Sequence, residues 1–164
     1  EVEEGYYLFK SKTGGYTMLY PENAKMDEIY YEMPGEAFEA IQFGESKETN
    51  EFEYYVRAIY NSTLRARSAA ELKDVLSSYI EYDGIYEIIE YKDKTIHFAT
   101  TEYVARNGKG ITYRFFAVIM SNDSNQAVSM RYNVMTDIDD SIDLDFIQDQ
   151  VMNIMESIDF IANE

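Results

Sequence analysis

The chain has 164 residues, of which 46% are hydrophobic, and it carries a formal net charge of −17 at pH 7. This length predicts one domain. The excess of carboxylates argues against binding to nucleic acid, whose phosphates attract Lys and Arg, and against direct docking on anionic lipid head groups. The sequence has no cysteine, which excludes disulfides, thiolate metal sites and cysteine nucleophiles. It also has no apolar run of the ~20 residues needed to cross a bilayer.

The start of the chain predicts a linker followed by a β-hairpin. Glu1–Gly5 has the composition of a linker remnant, and we assign residues 6–164 to a single domain. Tyr6–Lys10 and Tyr16–Tyr20 resemble strands, and the Gly14-Gly15 pair between them suits a hairpin turn. Because the sequence does not begin with Met, we expect its start to be either a processing site, where a signal segment has been removed, or an artificial boundary.

The next stretch predicts a second hairpin and a longer strand. Glu28–Met33 and Ala37–Phe43 flank the turn dipeptide Pro34-Gly35, although the second of these segments would also suit a helical turn. Glu51–Tyr60 has an apolar residue at every second position, which is typical of a half-buried strand. Together with the first hairpin, the sequence therefore predicts five strands before the first helix.

A capping box predicts where the first helix begins. In Ser68-Ala69-Ala70-Glu71, the Ser68 hydroxyl can accept the amide of Glu71, and the Glu71 side chain can reach back. An apolar stripe at helical spacing follows, formed by Leu72, Val75, Leu76, Tyr79 and Ile80. We expect the helix to end near Gly84, which readily takes a left-handed conformation.

The stretch Ile85–Met135 predicts four consecutive antiparallel strands. Asn107-Gly108 is a typical tight-turn pair between the second and third of them. The second half of the third strand, Phe115–Met120, is apolar at every position, which predicts burial on both faces and a central place in the sheet. An amphipathic helix, roughly Ile142–Ile161, should then lie across this sheet.

Strands and helices do not alternate in βαβ order, so the predicted class is α+β. We expect a single antiparallel sheet, built from the N-terminal hairpin and the four-strand meander and packed by two main helices.

Three segments carry a resemblance to a known superfamily. Tyr16–Pro21 is similar to the opening of PsbP-like and Mog-type proteins, in which an aromatic-rich short strand ends in proline. Gly110–Met120 and Val151–Phe160 look like the last strands and final helix of that superfamily, although the tryptophan that often follows the proline is absent. The superfamily includes a photosystem lumenal subunit, a Ran-binding import factor and many bacterial surface lipoproteins. The resemblance implies an α+β fold and a role without catalysis, in the lipoprotein branch.

The acidic run before the last helix is the candidate for a metal site. Asp137, Asp139 and Asp143 stand at alternate positions and could supply oxygen ligands to Ca²⁺. The alternative is that these carboxylates stabilise the positive end of the helix dipole. The position that needs glycine in a calcium loop holds Ile142, which favours the alternative.

Two further features are candidates for function. Arg65, Arg67 and Lys73 form a basic cluster in an acidic chain, which is either a solvated helix entry or a docking spot for an acidic partner. Tyrosine occurs 16 times, which predicts strand surfaces and, alternatively, an aromatic surface that stacks on a sugar. His97 lies in a strand without an identifiable catalytic partner, and no catalytic motif is present.

The sequence thus predicts a non-enzymatic, extracytoplasmic domain of a bacterial envelope lipoprotein that binds a protein or a small ligand. We expect no cofactor, no nucleic acid partner and no membrane contact except through a removed N-terminal lipid anchor. The alternatives are a glycan-binding module whose tyrosines line a cleft and a hydrolase that uses paired carboxylates.

Overall fold

The computed structural model describes residues 2–48, 50–63 and 69–162, and it has the predicted α+β class. The strands are β1 Tyr6–Lys10, β2 Tyr16–Pro21, β3 Lys25–Met26, β4 Glu32–Gly35, β5 Phe38–Glu45, β6 Glu53–Asn61, β7 Glu87–Glu90, β8 Lys94–Val104, β9 Gly110–Ser121, β10 Ala127–Asp137 and β11 Asp159–Phe160. The helices are α1 Ala69–Ile80 and α2 Leu144–Glu156, with a short 3-10 helix at Glu28–Tyr30.

The predicted meander is confirmed as strands β7 to β10, each antiparallel to the next. Strand β9 lies between β8 and β10, and its residues from Phe115 to Ile119 are all buried. The other edge of β10 pairs with β6, which pairs in turn with β5. These strands, with β3 and β4 at the far edge, form one large sheet.

We expected the N-terminal hairpin to be part of this sheet, but it lies outside it. Strands β1 and β2 pair with β11 in a separate three-stranded sheet. The separation has a physical reason: Tyr16 and Met18 of β2 are fully buried against the large sheet, so the hairpin covers that sheet face on.

The last helix is shorter than predicted because the chain after it returns to the hairpin. Helix α2 ends at Glu156, and the Ser157 hydroxyl accepts a hydrogen bond from the Leu19 amide at 2.8 Å. The next residues form β11, in which Asp159 lies opposite Thr17. The apolar stripe thus continues past the helix into a strand, and Ile161 at its end is exposed.

The second predicted hairpin is only partly correct. Strands β4 and β5 do pair, and the helical alternative for the second segment is wrong. Glu28–Tyr30 is a 3-10 helix rather than a strand, because the Asp27 carboxylate accepts the Ile29 amide at 3.3 Å and starts a tight turn. The longer strand runs over Glu53–Asn61, two residues later at its start than predicted.

The large sheet has two differently covered faces. Its inner face packs against α2 and the small sheet, and this layer holds most of the buried side chains. Its outer face packs against α1, whose Leu72, Leu76 and Ile80 contact a cluster that includes Phe116 and Val118. Because α1 covers the β8–β10 side, the outer faces of β5 and β6 stay open beside it.

Candidate functional site

A groove lies between α1 and the uncovered part of the outer face. Its floor is formed by β5, β6 and β10, and its volume is about 730 Å³. Pockets that hold small molecules measure roughly 300–1,000 Å³ and are mostly apolar with a few polar groups. The described residues that line it are Tyr30, Phe38, Gln42, Tyr55, Arg57, Ile59, Asn61, Leu72, Val75, Leu76, Tyr79, Ala127, Ser129 and Arg131.

The strand register gives the groove two different ends. At one end Asn61 lies opposite both Phe38 and Ala127, which β5 and β10 contribute. At the other end Arg57 lies opposite both Gln42 and Arg131. Four residues separate the two ends along each strand, which corresponds to about 13 Å. The groove therefore runs from a largely apolar end to a cationic end.

The two arginines at the cationic end are direct cross-strand neighbours, and like charges in that position are destabilising. Arg57 has 15% of its side chain exposed; it donates to the Tyr30 carbonyl at 3.0 Å and lies 4.0 Å from the Glu32 carboxylate. The Arg131 guanidinium lies 3.9 Å from the centre of the Tyr79 ring and forms no ion pair with a described carboxylate. Glu32 therefore faces one of the two cations, whereas the other has no described carboxylate partner, and positive charge is concentrated at this end.

The pKa of the Tyr79 phenol reflects the positive electrostatic potential at this end of the groove. A hydrogen bond from Arg131, together with its charge, lowers the pKa of Tyr79 below the usual value for tyrosine, while burial opposes the change. The charges of Arg57 and Arg114 act in the same direction. Arg114 has its own structural role, because it donates to the Ile80 carbonyl at the C-terminal end of α1 at 3.4 Å. This end of the groove is thus electropositive although the chain is strongly acidic.

The predicted basic docking cluster is not the cluster that lines the groove. Arg65 and Arg67 lie outside the described residues, so their docking role stays a prediction. Lys73 is on the other side of α1, where its ammonium lies 5.6 Å from the centre of the Tyr86 ring. Arg57 and Arg131 come together in the groove because of the register between β6 and β10. The signal for this groove in the sequence was Ile59, an apolar residue on an otherwise polar face of its strand.

The acidic run before α2 acts locally in the structure. The Asp143 carboxylate caps α2 by accepting the Phe146 amide at 3.1 Å, in agreement with the alternative reading. Asp140, between the candidates Asp137 and Asp139 and the cap, accepts from Thr136 at 3.2 Å and pairs with Lys47 at 3.4 Å. Over the described ranges, no group of three or more His, Cys, Asp or Glu side chains is arranged to hold a metal ion.

A smaller cleft of about 240 Å³, between the small sheet, β6 and α2, contains the carboxylates that a hydrolase would need. Glu4, Glu22 and Glu45 line it. Glu45 already accepts a hydrogen bond from the Tyr54 hydroxyl. Burial, the nearby Tyr132 and this bond raise the pKa of Tyr54 far above its usual value. Glu45 therefore has a structural partner, and the hydrolase alternative depends on the other two glutamates.

His97 and most of the aromatic residues belong to the core. His97 is buried, its Nδ1 has no partner among the described residues, and burial followed by the charge of Lys73 lowers its pKa. Tyr16, Tyr60 and Tyr132 are fully buried, as the strand-surface interpretation predicted. Three other tyrosines, Tyr30, Tyr55 and Tyr79, line the groove, where a ligand can reach them.

The comparisons with known proteins point to one family. A family model described as "Putative lipoprotein YvcA", and named for YvcA and Mog1p, matches residues 1–159. The protein named "Putative lipoprotein YvcA" from Bacillus subtilis (strain 168) is 25% identical over 173 aligned positions, which cover all of this chain and 71% of that protein. No solved structure matches the chain significantly. Neither described helix is long and apolar enough to span a membrane.

Proposed function

This chain belongs to the family described as "Putative lipoprotein YvcA", and from this premise we propose that it is an extracytoplasmic binding domain of a bacterial envelope lipoprotein. In this proposal the ligand occupies the outer-face groove. The observation that carries the proposal is the pair Arg57 and Arg131 at one end of a concave, mostly apolar surface. Convergent polar groups in an apolar cleft are the usual form of a ligand site.

The lining residues supply binding groups rather than a catalytic set. They include arginines, tyrosines, amides and the Ser129 hydroxyl, and none of the described lining residues is a histidine or a carboxylate. A serine nucleophile needs an adjacent base to be activated. Ser129 has no such base among the lining residues that the structure describes, which supports a role in binding.

A fragment screen observed by NMR tests this proposal. We expect weakly bound fragments to shift the amide resonances of α1, β6 and β10 rather than those of α2 and β1. Val75→Lys should abolish those shifts, because Val75 lines the groove and is 59% exposed, so the lysine occupies the groove with little effect on folding.

Ile88→Lys is the matched control, since Ile88 is 55% exposed on the edge strand β7 and does not line the groove. Fragments that collect on other surfaces, or that still bind the Val75→Lys variant, would contradict a binding role for the groove.

Glycan binding is a second candidate because Tyr30, Tyr55 and Tyr79 all line the groove. Aromatic rings in such a groove can stack on the apolar face of a sugar. A neutral oligosaccharide that shifts groove resonances equally in the wild type and in Arg131→Gln would favour this candidate.

A further inference from the structure

We infer that the groove takes an elongated ligand with a single anionic head on an apolar body, the head lying at Arg57 and Arg131. This inference rests on the proposed function and names the class of ligand for the same groove. It is carried by the register of β5, β6 and β10, by the charge at one end and by the apolar side chains at the other.

The lining is mostly apolar in one half, where Asn61 and Ser129 are its polar side chains, and cationic in the other, where Tyr55 lies beyond the arginines. Phe38, Leu72 and Ala127 lie at one end, with Ile59 of β6 and Val75 of α1 further along. The arginine pair and Gln42 come about 13 Å further along the strands. A ligand with one charged end matches this order, whereas a uniformly polar ligand would leave its polar groups unpaired against the apolar half.

The charge of the head group follows from the arginines. A carboxylate or a phosphate between Arg57 and Arg131 would accept charge-assisted hydrogen bonds from both planar forks. It would also relieve the repulsion between two cations that face each other across paired strands. Because Arg131 has no described carboxylate partner, its charge is available to a ligand.

The apolar body follows from the rims of the groove. Val75 and Tyr79 on α1 are 59% and 71% exposed, and Tyr30 on the opposite wall is 51% exposed. A body that lies between these walls buries apolar surface that otherwise faces water. Each methylene group buried in this way strengthens binding by the hydrophobic effect.

The ligand is bound as a single molecule from solution rather than as a lipid within a bilayer. The chain has a net charge of −17, which opposes docking of the whole domain on an anionic membrane surface. A single monoanionic amphiphile is small enough to lie within the local electrostatic field of the groove. At this short distance the charges of Arg57, Arg114 and Arg131 dominate that field.

Titrations with four amphiphiles that share a decyl chain test the inference. The probes are decanoate, decyl phosphate, decanol and decyltrimethylammonium, each below its critical micelle concentration, with binding followed by NMR and calorimetry. We expect the two anions to bind in the groove more tightly than decanol, and the cation most weakly. Arg131→Gln and Arg57→Gln should each weaken decanoate binding roughly tenfold, because each removes a charge-assisted hydrogen bond, and should leave decanol binding unchanged.

Arg106→Gln is the matched control, since Arg106 is exposed in the turn between β8 and β9 and does not line the groove. Equal binding of all four probes in the groove would overturn the anionic head while the proposed function stands. Binding to vesicles that contain phosphatidylglycerol, with no binding of monomeric anions, would overturn the inference that the ligand is a single dissolved molecule. If fragments bind the groove but no decyl compound does, the ligand class is wrong. If neither set shifts groove resonances, the proposed function fails as well.

Discussion

One amide side chain, Gln126, joins three separate parts of the chain. Its Nε2 atom lies 3.0 Å from the Gly15 carbonyl, 3.0 Å from the Tyr60 hydroxyl and 2.7 Å from the Ile161 carbonyl. These partners belong to the turn of the first hairpin, to β6 and to the end of the chain. Gln126 itself is buried, so no water replaces these bonds when the side chain is removed.

We therefore expect Gln126→Leu to lower the free energy of unfolding by about 1–3 kcal/mol, because buried oxygen acceptors lose their donor. Urea denaturation followed by circular dichroism measures this change. Gln148→Leu on the exposed side of α2 is the control and should change stability by less than about 0.5 kcal/mol. Equal effects of the two substitutions would contradict a linking role for Gln126.

At the scale of single elements, helix α1 ends in a conformation that its sequence does not favour. Glu81 follows Ile80 with φ of 59°, and the Tyr82 amide donates to the Ser77 carbonyl at 2.9 Å. This is the hydrogen bond of a Schellman motif, whose left-handed residue is usually glycine. Gly84, which we expected to take that role, lies three residues further along the chain.

Glu81→Gly should therefore stabilise the protein by about 1 kcal/mol, since the left-handed conformation costs a residue with a Cβ atom that amount. Thermal and urea unfolding measure the gain. Ser78→Gly, at an exposed position inside α1, is the matched control and should destabilise by roughly 0.5 kcal/mol. A loss of stability in Glu81→Gly would show that the Glu81 side chain contributes more than its backbone strain costs.

The elements that the sequence predicted well are those whose pattern is local. Alternation along β10 and the doubly apolar half of β9 are sufficient to predict the meander, because a strand shows its buried faces in its own residues. The separate small sheet was not predictable in this way. It depends on where the chain goes after α2, and the apolar stripe of that helix continues into β11 without a break.

The groove was unpredictable for a related reason. Helix α1 has 12 residues, about 18 Å, and its stripe does not reveal which strands it covers. The meeting of Arg57 with Arg131 depends on the pairing of β6 with β10, two strands that are far apart in sequence. In the sequence each arginine is simply a polar residue between apolar neighbours, as on any strand with one solvated face.

At the scale of the whole molecule, two buried contacts hold the small sheet on the large one. The Glu39 side chain of β5 is fully buried and accepts the amides of Lys12 and Thr13, at 3.1 and 2.9 Å, in the turn of the first hairpin. Tyr16 of that hairpin stacks on Tyr60 of β6 with ring centres 5.4 Å apart. The core between the two sheets therefore includes several buried tyrosines, and its stability depends on their remaining neutral.

This dependence predicts unfolding at alkaline pH. Burial raises the pKa of Tyr16, Tyr54 and Tyr132 far above the ordinary value of about 10. The unfolded chain therefore releases these protons near pH 10 while the folded chain keeps them. By proton linkage, the stability that they contribute is complete below about pH 10 and is lost as the pH rises above it. The pKa of Tyr79 is shifted in the opposite direction, but Tyr79 is a single, exposed residue.

We expect the urea midpoint to be nearly constant from about pH 7 to 9 and to fall steeply above about pH 10, where the linked tyrosines begin to ionise in the unfolded state. The part of the phenolate absorbance that comes from the buried tyrosines should rise in one cooperative step that coincides with the loss of near-ultraviolet circular dichroism. Tyr132→Phe should make the fall less steep, whereas Tyr7→Phe, at an exposed position in β1, should not. Gradual ionisation of all tyrosines in a chain that stays folded would show that the buried phenols are not linked to folding. A cooperative step would show that ionisation of the buried tyrosines sets the highest pH at which this acidic protein stays folded.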